Sequence, residues 1–224
     1  MILVGGYMDY SVVVVAAGKS ERFYSDTSKI LYQLLSGKKV IEQTVETFLN
    51  DTWCKQVIVV LSAEGLNYFI DKEIQGKMVL VLGGNNRMES VNNGLMAAKE
   101  EIVLIHDGAR PWITKKQIHQ LVEALTNESA AVLTIPIKDT VKMVEDDYII
   151  DTIDRNTLVR AQTPQAFYSK EIRQCYRKAL NDKINATDDA EVYQIITKKK
   201  IKCVEGCIDN EKITTLEDVE RRMQ

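Results

Sequence analysis

The sequence has few of the residues that build zinc modules, disulfide scaffolds or membrane spans. Only two histidines, His106 and His119, and four cysteines, Cys54, Cys175, Cys203 and Cys207, occur in 224 residues. A zinc site wants two closely spaced ligand pairs; Cys203 and Cys207 make one, and the histidines do not supply the second. The thiols therefore read as reduced and buried. No stretch approaches the roughly eighteen uninterrupted apolar residues of a membrane span, and the opening MILVGGYMDY lacks the basic flank and long apolar core of a secretory signal. A soluble, cytoplasmic protein without a membrane partner is expected. Surplus positive charge is missing too: 29 Lys and Arg stand against 32 Asp and Glu, a formal charge of −3, whereas a nucleic-acid binder carries a broad basic face. Nucleic acid is not an expected partner, but a small anion, which needs only a local cluster of cations, remains open. Neither the Walker pattern G-x-x-x-x-G-K-[ST] nor the dinucleotide fingerprint G-x-G-x-x-G is present. The second absence argues against an NAD(P)-dependent oxidoreductase.

What the chain does have is alternation. YSVVVVAA, KQVIVVLS, MVLVLGG, EIVLIHDGARP and AAVLTIPI are apolar, β-branched runs without polar alternation, and KVIEQTVETFLN, RMESVNNGLMAAKE and KKQIHQLVEALTNE show helical spacing. Strands buried on both faces, alternating with helices, predict an α/β fold: a single doubly wound, mostly parallel, Rossmann-like sheet. The length suits one domain over residues 1–224. After TIPIKDT the rhythm changes. VKMVEDDYIIDTIDRNTLVRAQ holds two short strand-like runs about an acidic turn with no helix between them, which predicts a protruding β-hairpin arm over about 138–160. Next, DRNTLVRAQTPQAF reads as a turn fixed by Pro164. Helical spacing resumes in SKEIRQCYRKAL and in TDDAEVYQIITKKK, the latter with Thr187 as N-cap. IKCVEG predicts a last strand, and LEDVERRM a closing helix.

In open parallel sheets ligands bind beyond the carboxyl ends of the strands. Four such places combine glycine with charge: AAGKSERF, GGNNRMES, IHDGARP and EGCIDNEK. In the first, Ala16, Ala17 and Gly18 allow close backbone approach, with Arg22 and Lys29 as cations for a phosphate chain; a strand end followed by a solvated loop fits equally well. The second offers Gly83 and Gly84 with Arg87 and Ser90 at a helix mouth, which is also what an ordinary two-glycine turn looks like. In the third, Asp107 directly follows a strand, well placed for Mg²⁺, and Arg110 comes three residues later. His106 beside it reads as a satisfied strand-end histidine rather than a ligand. The fourth adds Asp209 and Lys212, and DRNTLVRAQTPQ adds Arg155, Arg160, Thr163 and Gln165.

Taken in order, AAGKSERF with SKILYQL, GGNNRMESV, HDGARP, KDTVK, DRNTL, QTPQAF, TDDAE and VEGCIDNEKIT resemble the cytidylyltransferases that act on 2-C-methyl-D-erythritol 4-phosphate in non-mevalonate isoprenoid synthesis. The resemblance runs from Ser11 to the C-terminal helix. It implies cytidylyl transfer from CTP to that sugar-alcohol phosphate, with release of pyrophosphate. Arg22 and Lys29 would hold the triphosphate and stabilise charge on the α-phosphate. Ala16, Ala17, Gly18, Gly83, Gly84, Arg87 and Ser90 would line the cytidine site, with Gly108 near the ribose. Asp107 and Asp209 would place Mg²⁺, while Asp107, Arg110, Thr140, Thr163, Thr187, Arg155 and Lys212 would receive the sugar phosphate, the last two as catalytic groups. In this family the arm's arginine serves the partner's site, which implies a homodimer with exchanged arms. The pattern departs at Ser20, where a second loop glycine is usual, at Ser28, where proline precedes the lysine, and at Asn85, where an acid is common. A ribitol 5-phosphate cytidylyltransferase is the nearest rival; a non-catalytic nucleotide-binding module would have lost a phosphate ligand or a metal aspartate, and all are present.

Overall fold

The computed structural model describes residues 8–18, 23, 28–70 and 76–222. Its centre is a seven-stranded sheet in the order β3-β2-β1-β4-β8-β5-β9. The strands are β1 (Tyr10–Ala16), β2 (Cys54–Leu61), β3 (Met78–Leu82), β4 (Ile102–Asp107), β5 (Ala130–Pro136), β8 (Val159–Tyr168) and β9 (Lys202–Glu205). Strands β1, β2, β3 and β4 pair in parallel, as do β5 and β9, and β8 alone runs antiparallel, between β4 and β5. The mostly parallel sheet expected from the β-branched runs is therefore present.

Period-two alternation splits β1 between two cores. Val12, Val14 and Ala16 face a cluster completed by α1 (Val40–Leu49), α2 (Ala63–Ile70) and α4 (Lys115–Ala124). Val13, with Val15 at its edge, faces a second cluster built with α3 (Arg87–Ala97), α5 (Ser169–Asn181) and α6 (Asp189–Thr197). Both faces of the sheet are covered, which is why these strands need no polar alternation. A third, smaller cluster gathers Phe23, Leu34, Val40, Ala109, Ile213 and Val219, anchoring the loop before α7 (Leu216–Glu220) against the end of β4.

Three local expectations are corrected. The stretch around Pro164 is a buried strand, β8, and not a turn. Pro164 falls inside a register shift: Val132 pairs with Gln165 and Thr134 with Ala161, so no ladder position requires the N–H that proline lacks. The N-cap of α6 is Asp188, whose side chain accepts from the Glu191 N–H. Thr187 stands one residue earlier, with its N–H and hydroxyl both donating to Glu191 Oε2. The four thiols are free, but only Cys54 and Cys175 are buried; Cys203 is exposed and Cys207 is half-buried. Helix α2 had no sequence counterpart: its eight residues bury only Gly65 and Phe69.

The arm is the hairpin β6 (Val141–Glu145) and β7 (Tyr148–Ile153), a separate two-stranded sheet. Asp146 and Asp147 turn the chain with φ of 46° and 66°. Two positive φ values at the centre of a two-residue loop match the twist of the strands it joins.

Candidate functional site

A cleft of about 1160 Å³ opens at the carboxyl ends of β1, β3 and β4. The strand order reverses beside β1, the place where an open α/β sheet leaves a crevice. Among the lining residues, Ala16, Ala17 and Gly18 form one wall, Gly83, Gly84, Arg87 and Ser90 a second, and Lys29, Asp107 and Lys212 bring charge to the remainder. These ten residues were all singled out in the sequence, and the ends of four strands, β1, β3, β4 and β9, with the segments that follow them bring them together.

The second wall is rigid. Gly83 donates to the Leu61 carbonyl at 2.8 Å, the Gly84 N–H to Ser90 Oγ at 3.0 Å, and the Asn85 N–H to Glu89 Oε2 at 2.9 Å. Ser90 Oγ in turn donates to the Asn86 carbonyl at 2.8 Å. A Cβ on Gly83 would lie 2.4 Å from the Ala17 Cβ and 3.0 Å from Ser90 Oγ. Glycine there is what lets the first and second walls meet. Gly108 plays a comparable part: a Cβ would sit 2.8 Å from that of Ala16. Its carbonyl accepts from Thr44 Oγ1, and it is the neighbouring Ala109 that lines the cleft.

Asp107 is the electrostatic centre. Its Oδ2 lies 3.0 Å from Lys212 Nζ and 3.4 Å from Arg110 Nε, and its Oδ1 lies 3.9 Å from Arg87 Nη2. Burial works to raise its pKa, but Lys212, Arg87 and Arg110 outweigh it and hold the carboxyl far below the usual range. Arg110 is a strut: Nη1 donates to the Asn210 carbonyl at 2.7 Å, tying the loop after β4 to the loop that carries Lys212. Asn210 is fully buried, and its Nδ2 donates to the Thr163 carbonyl at 2.8 Å. Sequence reasoning passed over Asn210, whose signal was only its place between Asp209 and Lys212.

His106 sits behind this centre, wholly buried. Its Nε2 faces the Arg110 carbonyl at 3.2 Å, so that nitrogen carries the hydrogen, and Nδ1 accepts from Thr163 Oγ1 at 3.0 Å. Thr163 Oγ1 also accepts the Asp107 N–H at 3.0 Å. The hydroxyl of Thr163, expected from the sequence at the substrate phosphate, here also ties His106 to the Asp107 backbone. Burial pushes the His106 pKa down from 6.5 to about 4. Between those values the unfolded chain takes up a proton that the folded chain refuses, so stability falls as pH drops through this window. The loss at pH 5 is about 2 kcal/mol relative to neutral pH. Unfolding midpoints should therefore fall from pH 7.5 to pH 5 more steeply in the parent than in His106→Gln; equal slopes would locate the titration elsewhere.

The remaining expected site residues stand apart from this cleft. Thr187 is at the foot of α6, and Thr140 and Arg155 are exposed at the base of the arm, where Arg155 Nη1 donates to the Lys138 carbonyl. Asp209 is exposed, with Oδ1 3.3 Å from Arg222 Nη2. Arg22 and Ser20 lie outside the described residues. Among the described residues no group of three potential metal-ligating side chains occurs, and Asp107 is the one carboxylate in the cleft lining. That donor set does not make a protein cage between Asp107 and Asp209. It does suit a hard cation held mainly by phosphate oxygens and water, with one carboxylate helping. Chemically, the cleft combines cations, small residues and one buried carboxylate, a lining that suits an extended anionic ligand.

Comparisons with known proteins agree in kind. The sequence model of the family described as 2-C-methyl-D-erythritol 4-phosphate cytidylyltransferase matches residues 10–222. Curated proteins of that name from Caldanaerobacter subterraneus subsp. tengcongensis and Halalkalibacterium halodurans are similar to this chain. The first is 40% identical over 220 residues, 95% of this chain and 96% of that one. The second is 39% identical over 217 residues, 95% of this chain and 94% of that one. The crystal structure of 4-diphosphocytidyl-2C-methyl-D-erythritol synthase from Anaerococcus prevotii is similar in fold, with a TM-score of 0.85 and 31% identity over 95% of this chain and 93% of that one.

Proposed function

The chain belongs to the 2-C-methyl-D-erythritol 4-phosphate cytidylyltransferase family, and from that premise we infer that it transfers the cytidylyl group of CTP to 2-C-methyl-D-erythritol 4-phosphate, releasing pyrophosphate. The observation that carries this reading is the cationic surround of Asp107, between the small-residue wall and Lys212, in a cleft of about 1160 Å³. The substrate phosphate attacks the α-phosphorus of CTP in line. A phosphate dianion is already a usable nucleophile, so no general base is required, and the obstacle is bringing two polyanions together. Positioning and cationic stabilisation are then the work of the protein. Lys29 and Arg22 take the triphosphate; Lys212 and Arg155 take the incoming phosphate.

Asp107 would hold a divalent cation jointly with the triphosphate oxygens, and that cation would offset phosphate charge. Asp209 would join only by turning away from Arg222.

The arm supports a homodimer. An isolated two-stranded hairpin is marginal in water, and here Tyr148 is 76% exposed, Ile149 65% and Val144 58%. An exchanged arm buries these side chains and delivers Arg155 and Thr140 to the second site. Ile149→Asp should convert a dimer to a monomer by sedimentation and lower turnover by about tenfold or more, the cost of losing one charged contact; a fully active monomer would remove the arm from the site. The free thiols and the nucleotide substrate suit a reducing, CTP-supplied compartment, the cytoplasm. No helix among the described residues is long and apolar enough to cross a membrane.

The direct test is pyrophosphate release from CTP with 2-C-methyl-D-erythritol 4-phosphate or with ribitol 5-phosphate. Turnover with the former only is expected. Turnover with the latter only would overturn the substrate.

A further inference from the structure

Arg87 reaches the cleft from the first turn of α3, yet its strongest partner lies behind the wall. Nη1 and Nη2 donate to Oδ1 and Oδ2 of Asp189 at 2.8 and 2.7 Å, the two-pronged geometry that fixes a guanidinium in orientation as well as place. Asp189 is 0% exposed, and its Oδ1 also accepts the Tyr176 hydroxyl of α5. The start of α6 is itself clamped to β8, because Gln165 donates to Asp188 Oδ2 at 2.9 Å and accepts the Ala190 N–H at 2.8 Å. Asp189 therefore has no freedom to follow a moving arginine.

The same Nη2 stands 3.9 Å from Asp107 Oδ1. One guanidinium thus lies between two carboxylates, of which only Asp107 faces the cleft. Lys212 and Arg110 both approach Asp107 through Oδ2. A collapse of Arg87 onto Asp107 would cover the remaining oxygen and spend the arginine's own donors on protein. The competing pull from Asp189 prevents this.

We propose that Asp189, backed by Tyr176, is a positioning residue for the nucleotide site: it holds the Arg87 guanidinium at the cleft wall and off Asp107, leaving Asp107 Oδ1 and the outer edge of Arg87 to a nucleoside triphosphate and its counter-ion. The proposal rests on the cytidylyltransferase reading for the identity of the nucleotide. Its effect is on nucleotide affinity, because Arg87 stands with Gly83, Gly84 and Ser90 on the nucleotide side of the cleft.

The test is steady-state kinetics with CTP and the sugar phosphate varied separately, together with calorimetric CTP binding. The variants are Asp189→Asn, Tyr176→Phe, Arg87→Ala and the Asp189→Asn/Arg87→Ala double. Asp189→Asn should raise KM and Kd for CTP by about tenfold or more, the scale of a charged hydrogen bond, and Tyr176→Phe by about threefold. The KM for the sugar phosphate should stay within about twofold, and adding Asp189→Asn to Arg87→Ala should cost nothing further. Unchanged CTP affinity in both single variants, or an undiminished Asp189→Asn penalty without Arg87, would overturn the role. Tyr176→Phe keeps the ion pair, so it decides the matter if Asp189→Asn fails to fold. A parent protein that binds CTP but transfers nothing would sink the reaction, not the role, since the Kd ratios would still be read.

Discussion

Lys29→Ala is expected to lower kcat for cytidylyl transfer by about a hundredfold or more, the usual cost of removing one donor aimed at developing charge. The unfolding midpoint should stay close to the parent's. Lys29 opens a short 3₁₀ turn whose next two residues, Ile30 and Leu31, are buried in the core, so the backbone that presents the ammonium group is anchored without it. Pyrophosphate departs from the α-phosphorus as charge spreads over the non-bridging oxygens, and a cation on the cleft wall has more to offer that state than the ground state. The effect should therefore fall on kcat more than on KM for CTP. A Lys29→Ala enzyme with parental kcat would remove Lys29 from the chemistry and weaken the whole reading. Lys29→Arg separates charge from shape: partial rescue is expected, because the charge is kept while the planar fork cannot reproduce a compact ammonium.

Lys212→Ala is the second variant for which a large effect is expected, and its cause is different. Lys212 Nζ is 3.0 Å from Asp107 Oδ2, and of the neighbouring cations it does most to lower the Asp107 pKa. On the role proposed for Lys212, removing it would deprive the incoming phosphate of a cation, and it also leaves a buried carboxylate with weaker compensation. A rate loss of about a hundredfold is expected, here with a rise in KM for the sugar phosphate. The Asp107 pKa should rise toward the ordinary carboxylate range. A carboxyl with a depressed folded pKa contributes stability that is present above its unfolded value and lost as pH falls. The Lys212→Ala variant should therefore be less stable than the parent at neutral pH, with the gap narrowing in acid. Parental kinetics together with that stability loss would make Lys212 a structural partner of Asp107 and nothing more.

These two lysines show how unevenly the site was legible. Asp107 and the small residues of AAG and GG could be read because each stands at the end of a strand that announces itself by β-branched runs, and strand ends are where such sheets bind ligands; Lys29, further along the connection after β1, was found as the next cation in that segment. Thr163 was legible as a position beside the strand ends, but its contacts were not: it is the middle residue of QTP, and only the pairing of β8 beside β4 brings its hydroxyl to the Asp107 N–H and His106. Asp209 was expected to share Mg²⁺ with Asp107 because both follow apolar runs and the family resemblance pairs them; its side chain lies beside Arg222, thirteen residues on. Asp188 and Thr187 are both good capping residues, and one position of phase decided between them. Strand β8 was missed because proline ordinarily breaks a central strand, and the register shift that accommodates it is a property of three strands together.

The sequence by itself determined the kind of fold, the four loops at which chemistry could sit, the hairpin arm, and the residue types in the nucleotide wall, because these depend on hydrophobic period, turn chemistry and side-chain size over a few consecutive positions. Only the tertiary structure decided which charges neutralise one another. Arg87 and Asp189 are 102 residues apart, and Arg110 and the Asn210 carbonyl 100; the first pair meets because β8 enters the sheet antiparallel beside β4 and leads into α5 and α6 on the face that holds α3, and the second because the loop after β9 returns to β8, where Asn210 donates to the Thr163 carbonyl. Electrostatic interactions depend on distance and burial, and neither is visible along a chain until the order of its strands is known.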